Sequence, residues 1–206
     1  MSKNVSNDQT KKLTMKSAAF FAALVAVGVI ARVAFEDLPN VSPVAALALF
    51  AGYFFRSRVL AVCVPLSVML ISDQMIQAGG YPWALMLTVY ALLASPVLLR
   101  SWMKRSVNFE NTGIKQFAKS VLMIGGGSLA CSLMFYFGTN AMVWATTSLY
   151  PQTAAGLATC YAAAIPMFRQ TCTGDVSFAF AIFGSYAALK TVWAYVTETT
   201  TAATAS

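Results

Sequence analysis

Apolar residues in this chain run in long blocks, and short polar turns separate them. Six blocks read as helices: residues 15–33, 42–55, 59–77, 82–102, 117–139 and 176–195. Blocks near 20 residues match the thickness of a bilayer's hydrocarbon core. The second is shorter and rich in alanine, so it must be tilted, extended by its neighbours or surrounded by protein. The fifth is interrupted by Gly125-Gly126-Gly127. Three adjacent glycines are costly in a helix, which points to a bend or a close contact there.

The expected fold is therefore all-α: a polytopic membrane helix bundle of six transmembrane helices with an extra outer-face helix. It forms one domain over residues 13–196. The polar segment 1–12 and the Thr/Ala-rich tail 197–206 are expected to be disordered. The first block follows Lys11, Lys12 and Lys16 as a signal peptide would, but it is long, and the sequence from Arg32 to Asp37 is a poor cleavage site. It reads as a retained helix.

Composition supports the membrane assignment. Of 206 residues, 58% are hydrophobic and 10% charged, and the mean hydropathy is +0.66. So little charge cannot cover a water-soluble globule of this size. The net charge of +7 does not indicate nucleic acid, because the basic residues occupy turns between apolar runs and form no stripe with interleaved aromatics. The chain lacks histidine, the commonest zinc ligand and general base. Its four cysteines form no CxxC pair. Neither a metal site, a cofactor nor a structural disulfide is expected.

Charge also orients the helices. Lys3, Lys11, Lys12 and Lys16 precede the first block, and Arg56 and Arg58 separate the second and third. Arg100, Lys104, Arg105, Lys115 and Lys119 lie between the fourth and fifth. The other turns carry Arg32, Glu36, Asp37 and Asp73, with Gly79-Gly80 and Thr139-Asn140. By the positive-inside rule the amino terminus is cytoplasmic. In a bacterium this is a multi-pass protein of the cytoplasmic (inner) membrane.

The segment 147–175 decides where the chain ends. Its apolar part, 151–168, would be about 27 Å long as a helix and could barely span. Alanine and glycine dominate it, and it holds Gln152, Thr153, Thr159 and Pro166. A spanning helix would strand Lys190 at the wrong end. A non-spanning or partly re-entrant helix over the outer face fits better, since re-entrant backbone is tolerated where protein surrounds it.

Small residues recur every four positions at Ala18, Ala22 and Ala26, and at Ala45, Ala48 and Gly52. Such faces let helices approach closely in lipid. They serve either packing within the chain or docking of another membrane subunit. Asp73 lies near the outer end of an apolar helix, where a carboxylate must be wet, paired or protonated. It either caps a helix or bridges to Arg32, or it contacts a ligand or cation. Arg169 and Asp175 are further external charges. Asn140, Trp144 and Tyr150 supply amide, indole and phenol groups nearby in sequence, the kinds of group that line pockets. Trp144, like Trp83 and Trp102, also fits the interfacial aromatic belt. The candidate substrate-binding residues are Asp73, Asn140, Trp144, Tyr150, Arg169 and Asp175. Asn40 or Ser42 can cap the second helix, and Pro43 suits its first turn. No GxSxG, HExxH or i,i+4 carboxylate pair occurs, so the chain does not read as an enzyme.

The stretches LPNVSPVAALALFAGYFF (38–55), VPLSVMLISDQMI (64–76) and TNAMVWATTSLYPQTAAGLATCYAAAIPMFRQTCTGD (139–175) resemble a bacterial family of uncharacterised six-helix membrane proteins. That family is itself similar to the substrate-binding S components of energy-coupling-factor transporters. The resemblance implies a six-helix bundle with both termini cytoplasmic that binds a vitamin or other small ligand on its outer side. It implies partners too: a transmembrane coupling subunit and two ATPases, engaged partly through small residues of the first helices, here Ala18, Ala22 and Ala26. The 140–175 region would match the lid-like loop before the last helix. The ligand motifs of riboflavin, thiamine and biotin binders are absent, as is the histidine-rich amino terminus of nickel and cobalt binders. The competing reading is a structural or assembly protein that joins a larger complex through its small-residue faces.

Overall fold

A computed structural model describes residues 2–38, 40–76, 82–109 and 113–205. Gly79 and Gly80, and the expected end of the third helix at Gln77, lie outside the described residues. Among the described residues all regular secondary structure is helical: α1 (Ser2–Ala34), α2 (Val44–Phe54), α3 (Arg58–Met75), α4 (Trp83–Ala94), a 3-10 segment (Ser95–Leu99), α5 (Arg100–Ser106), α6 (Ile114–Thr146), α7 (Ala154–Ala163) and α8 (Ile165–Ala205). Among the described residues, five stretches are long and apolar enough to cross a membrane: Met15–Ala34, Arg58–Met75, Trp83–Ser106, Ile114–Thr146 and Ile165–Thr200. This is the build of a multi-pass α-helical membrane bundle.

The sixth expected span is α2, and it is the centre of the bundle. Its 11 residues reach only about 16 Å. Every residue from Val44 to Gly52 is buried. A helix that is apolar on all sides belongs in a core, and α2 touches α1, α3, α4, α5, α6 and α8. Of the three ways to accommodate a short apolar helix, enclosure by protein is the one the chain uses. Gly28 makes the enclosure tight, because a Cβ there would lie 2.6 Å from Leu47 Cδ1 and 2.7 Å from Val68 Cγ2. At the entrance to α2, Asn40 does not act as a cap. Its φ of 60° places it in the left-handed region that asparagine tolerates. Ser42 Oγ instead accepts a long hydrogen bond from the Val44 amide at 3.4 Å.

Several expectations change: the blocks 117–139 and 176–195 are longer than expected, as α6 and α8, and three further differences have a local cause. The block 82–102 is not one helix: it tightens into 3-10 turns at Ser95–Leu99 and resumes as α5. Pro96 lacks an amide proton and its ring crowds the preceding turn, while Ser95 Oγ donates to the Leu92 carbonyl at 2.6 Å. The polar ends 2–12 and 197–205, expected to be disordered, continue α1 and α8 as helix. Extending an existing helix needs no new nucleus.

The third change is at the glycine run, which does not interrupt α6. Gly125 and Gly127 are close-contact positions: a Cβ would lie 3.3 Å from Phe180 Cζ at the first and 3.1 Å from Trp102 Cζ3 at the second. Gly126 faces open space. Replacing Gly126 with alanine is therefore expected to stabilise the fold by about 0.5–1 kcal/mol, the usual helix penalty of glycine. Gly127→Val is expected to destabilise it, because Trp102 and Leu49 must give way. Thermal unfolding of the two variants in detergent would check the opposite signs; shifts of the same sign would contradict this packing.

Candidate functional site

Three helices bring a polar cluster to one end of the bundle. Arg32 stands in the last turn of α1, Ser72 and Asp73 near the end of α3, and Tyr90 in α4. The Arg32 guanidinium donates to Ser72 Oγ at 2.5 Å and forms an ion pair with Asp73. Tyr90 donates its hydroxyl proton to the second Asp73 oxygen at 2.5 Å. Ser72 Oγ passes its own proton to the Val68 carbonyl at 2.6 Å. The Arg32 and Asp73 side chains are only 16% and 12% exposed, so each neutralises a charge that the apolar surroundings would otherwise penalise. Of the two roles open to Asp73, the geometry shows the bridge to Arg32. Both carboxylate oxygens have protein partners, and the cluster clamps α1, α3 and α4 together.

The second group surrounds α7. Thr153 caps this helix, its hydroxyl accepting from the Gly156 amide at 3.1 Å. A Cβ on Gly156 would lie 2.0 Å from the Pro151 carbonyl oxygen, so the corner is closed by glycine. The helix ends at Ala163 with Ala164 as its C-cap, and α8 begins at Ile165 with Pro166 in its first turn, where proline is tolerated. The expected 18-residue lid is thus a ten-residue helix, about 15 Å long and too short to span, followed directly by the last helix.

The last turns of α6 hold α7 in place. Tyr136 donates to the Tyr161 carbonyl at 2.6 Å, and Tyr161 donates to the Phe137 carbonyl at 3.1 Å. Trp144 Nε1 donates to the Pro151 carbonyl at 2.9 Å, and the Gln152 amide donates to the Trp144 carbonyl. Asn140 Nδ2 turns back to the Tyr136 carbonyl at 2.7 Å, while its own carbonyl accepts from Cys160 Sγ at 3.5 Å. Burial pushes the Cys160 thiol above its ordinary pKa. Asn140 and Trp144 are thus drawn together at the α6–α7 corner, where they fix its shape.

The remaining candidates are dispersed. Tyr150 is half-buried in the link between α6 and α7, and Arg169 is exposed on the first turns of α8. Asp175 is 4% exposed and accepts from Ser132 Oγ of α6 at 2.6 Å. One turn earlier on α6, the buried Ser128 hydroxyl has no hydrogen-bond partner among the described residues. The bonds of Asp73 link α3 to α1 and α4, whereas those of Asp175 link α8 to α6.

One concavity lies at the other end of the bundle, and the hydropathy pattern did not reveal it. An open cleft of about 430 Å³ is lined by Tyr53, Phe54, Lys104, Arg105, Phe109 and Lys190, with Tyr186 in its wall. The basic residues of this end do converge: Arg100 donates to the Arg56 carbonyl at 2.7 Å and Lys104 to the Phe55 carbonyl at 2.9 Å. In the sequence, Lys104, Arg105 and Lys190 served only to orient helices. A lysine inside the apolar final block was the available signal.

Residues 12–198 match a family described as a family of unknown function (DUF6580), and the chain belongs to it. Neither a curated protein nor a solved structure matches the chain.

Proposed function

We propose that this member of a family of unknown function is the substrate-capture subunit of an uptake system for a vitamin or other small metabolite. It sits in the bacterial cytoplasmic membrane with its amino terminus inside. Its partners are a transmembrane coupling subunit and ATPases. The observation that carries this reading is the contrast between the two alanine faces. Ala45, Ala48 and Gly52 of α2 are buried and serve packing within the chain. Ala18, Ala22 and Ala26 of α1 are exposed, while the opposite stripe, Leu24, Val25 and Val29, is packed inward. A smooth small-residue face left outside the bundle suits close approach by a second membrane helix.

Capture itself is assigned to the α7 end. There Arg169 is exposed beside a short helix braced on α6, and it is the clearest residue to test. Asp73→Ala would also break an internal ion pair, so its effect on binding would not be specific. A second reading, an assembly protein without transport, uses the same α1 face. It is favoured by the internal partners that occupy Asp73, Asn140, Trp144 and Asp175.

Native mass spectrometry of the protein, extracted gently from its own host, tests both. The wild type is expected to retain a coupling subunit, ATPases and a small molecule. Ala22→Leu is expected to lose the subunits and stay folded, and Arg169→Ala to lose the small molecule and keep the subunits. An unchanged complex with Ala22→Leu would remove α1 as the docking face. A stable complex containing only unrelated membrane proteins would replace capture with the assembly role.

A further inference from the structure

The two buried carboxylates of the bundle differ in what neutralises them. Asp73 has Arg32. Asp175 forms no ion pair among the described residues, and its described hydrogen bond comes from the neutral Ser132 hydroxyl. The sequence read Asp175 as an external charge, yet it lies inside the apolar stretch Ile165–Thr200. It stands about 15 Å along α8 from Ile165, and Ser132 lies near the middle of α6. The pair therefore sits near half the depth of the bundle, where an unneutralised charge is most costly. The titratable side chains that interact with Asp175, Cys131 of α6 and Cys172 of α8, bring no positive charge.

A second, independent feature lies on the same face. Ser128 and Ser132 are one turn apart on α6, so their side chains stand one above the other. Ser132 Oγ also donates to the Ser128 carbonyl, at 3.2 Å. Ser128 is 2% exposed, and its hydroxyl has no partner among the described residues. The register of the two helices shows why. Gly125 faces Phe180 and Ser132 faces Asp175, which sets Ser128 against the turn of α8 between them. That turn buries Ala179 completely, and alanine offers no polar atom. A buried hydroxyl left unpaired is costly, as is a buried carboxylate without a countercharge. One occupant answers both. Two hydroxyl oxygens, a carboxylate and the Ser128 carbonyl are all hard oxygen donors, the ligands of hard cations. Their net charge is that of one carboxylate, which a monovalent ion cancels. A divalent ion would leave a positive charge in apolar surroundings.

We propose that Asp175, Ser132 and Ser128 form a binding site for a small monovalent cation, sodium or potassium, between α6 and α8. Asp175 neutralises the ion, the two serine hydroxyls turn their lone pairs to it, and the bound ion draws the middle of α8 onto α6. The site stands independently of ligand capture at Arg169 and of the α1 face, so its failure would leave both of those readings intact.

The test is thermal unfolding of the full chain in detergent, with sodium chloride or potassium chloride replacing choline chloride at constant ionic strength. Choline is too large to enter between two packed helices. The wild type is expected to show a saturable rise in Tm of about 5 °C, as for a ligand held well above its Kd. A response to sodium or to potassium would support the site and assign the ion. Asp175→Asn should abolish the rise. Ser128→Ala should raise the half-maximal salt concentration about tenfold, through the loss of one polar contact to a charged group. It should also be more stable than the wild type in choline alone, because the unpaired hydroxyl is gone. Ser128→Ala removes only an oxygen, so it preserves the test if Asp175→Asn does not fold. Three results would overturn the proposal: no rise with either salt, an equal rise in Asp175→Asn, or the same half-maximal concentration in Ser128→Ala and the wild type. Stabilisation by acid together with indifference to both salts would also overturn it, since a proton on Asp175 would then be the neutralising charge.

Discussion

Arg32→Ala is expected to destabilise the bundle by about 3–5 kcal/mol, the cost of leaving a buried charge without its partner. Asp73 would keep Tyr90 as a donor but lose the cation that neutralises it. Asp73→Ala should cost a similar amount, because Arg32 would retain only the neutral Ser72 hydroxyl. The double replacement Arg32→Met with Asp73→Leu should cost far less than the two single changes added together. Removing both charges removes the desolvation penalty with the attraction, and apolar side chains fill the space. Tyr90→Phe gives up one hydrogen bond to a charged group, about 1.5–3 kcal/mol. Unfolding in mixed micelles, analysed as a double-mutant cycle, would read the coupling directly. Additive effects would show that the Arg32–Asp73 pair does not hold α1 to α3.

Phe50→Ala is expected to be as damaging, at about 3–5 kcal/mol, because it opens a cavity at the centre of the molecule. Phe50 is 1% exposed. Its ring meets Phe183 edge-on at 5.1 Å and Tyr186 at 5.4 Å, joining α2 to α8. Phe54 stacks on Phe20 at 4.1 Å one turn later, joining α2 to α1. Truncating Phe50 should therefore loosen α8 as well as α2. Trp193→Ala provides the contrast: the residue is larger but exposed, so its loss should change stability by no more than about 0.5 kcal/mol. Thermal unfolding in the same detergent would compare the two, and equal shifts would mean that α2 is not the core of the fold.

The second prediction depends on α2, and its place in the bundle marks where reading the sequence stops. The long apolar blocks announced membrane helices because hydropathy over 20 residues is a local property. The position of the expected spans near α1, α3, α6 and α8 followed from it. The block 42–55 was equally apolar but too short, and three outcomes were open. Enclosure by six other helices is a property of packing, which composition cannot rank. The glycine run shows the same limit. Its cost was visible, but only the neighbours Phe180 and Trp102 show that Gly125 and Gly127 are contacts and Gly126 is not.

For the candidate sites, the sequence by itself marked Asp73 as a residue that would be expensive in a membrane, and set Arg32, Arg169 and Asp175 as external charges. It also determined that the basic turns share one end, since alternating helices return every second turn to the same side. The tertiary structure alone decided the partners. Arg32 meets Asp73 across 41 residues of chain, Asp175 meets Ser132 across 43, and Asn140 and Trp144 are spent on the α6–α7 corner. It alone gathered Tyr53, Arg105 and Lys190 around one cleft. Burial cost is written in a single side chain and its apolar neighbours, whereas a partner is chosen by how helices pack, and that depends on the whole chain at once.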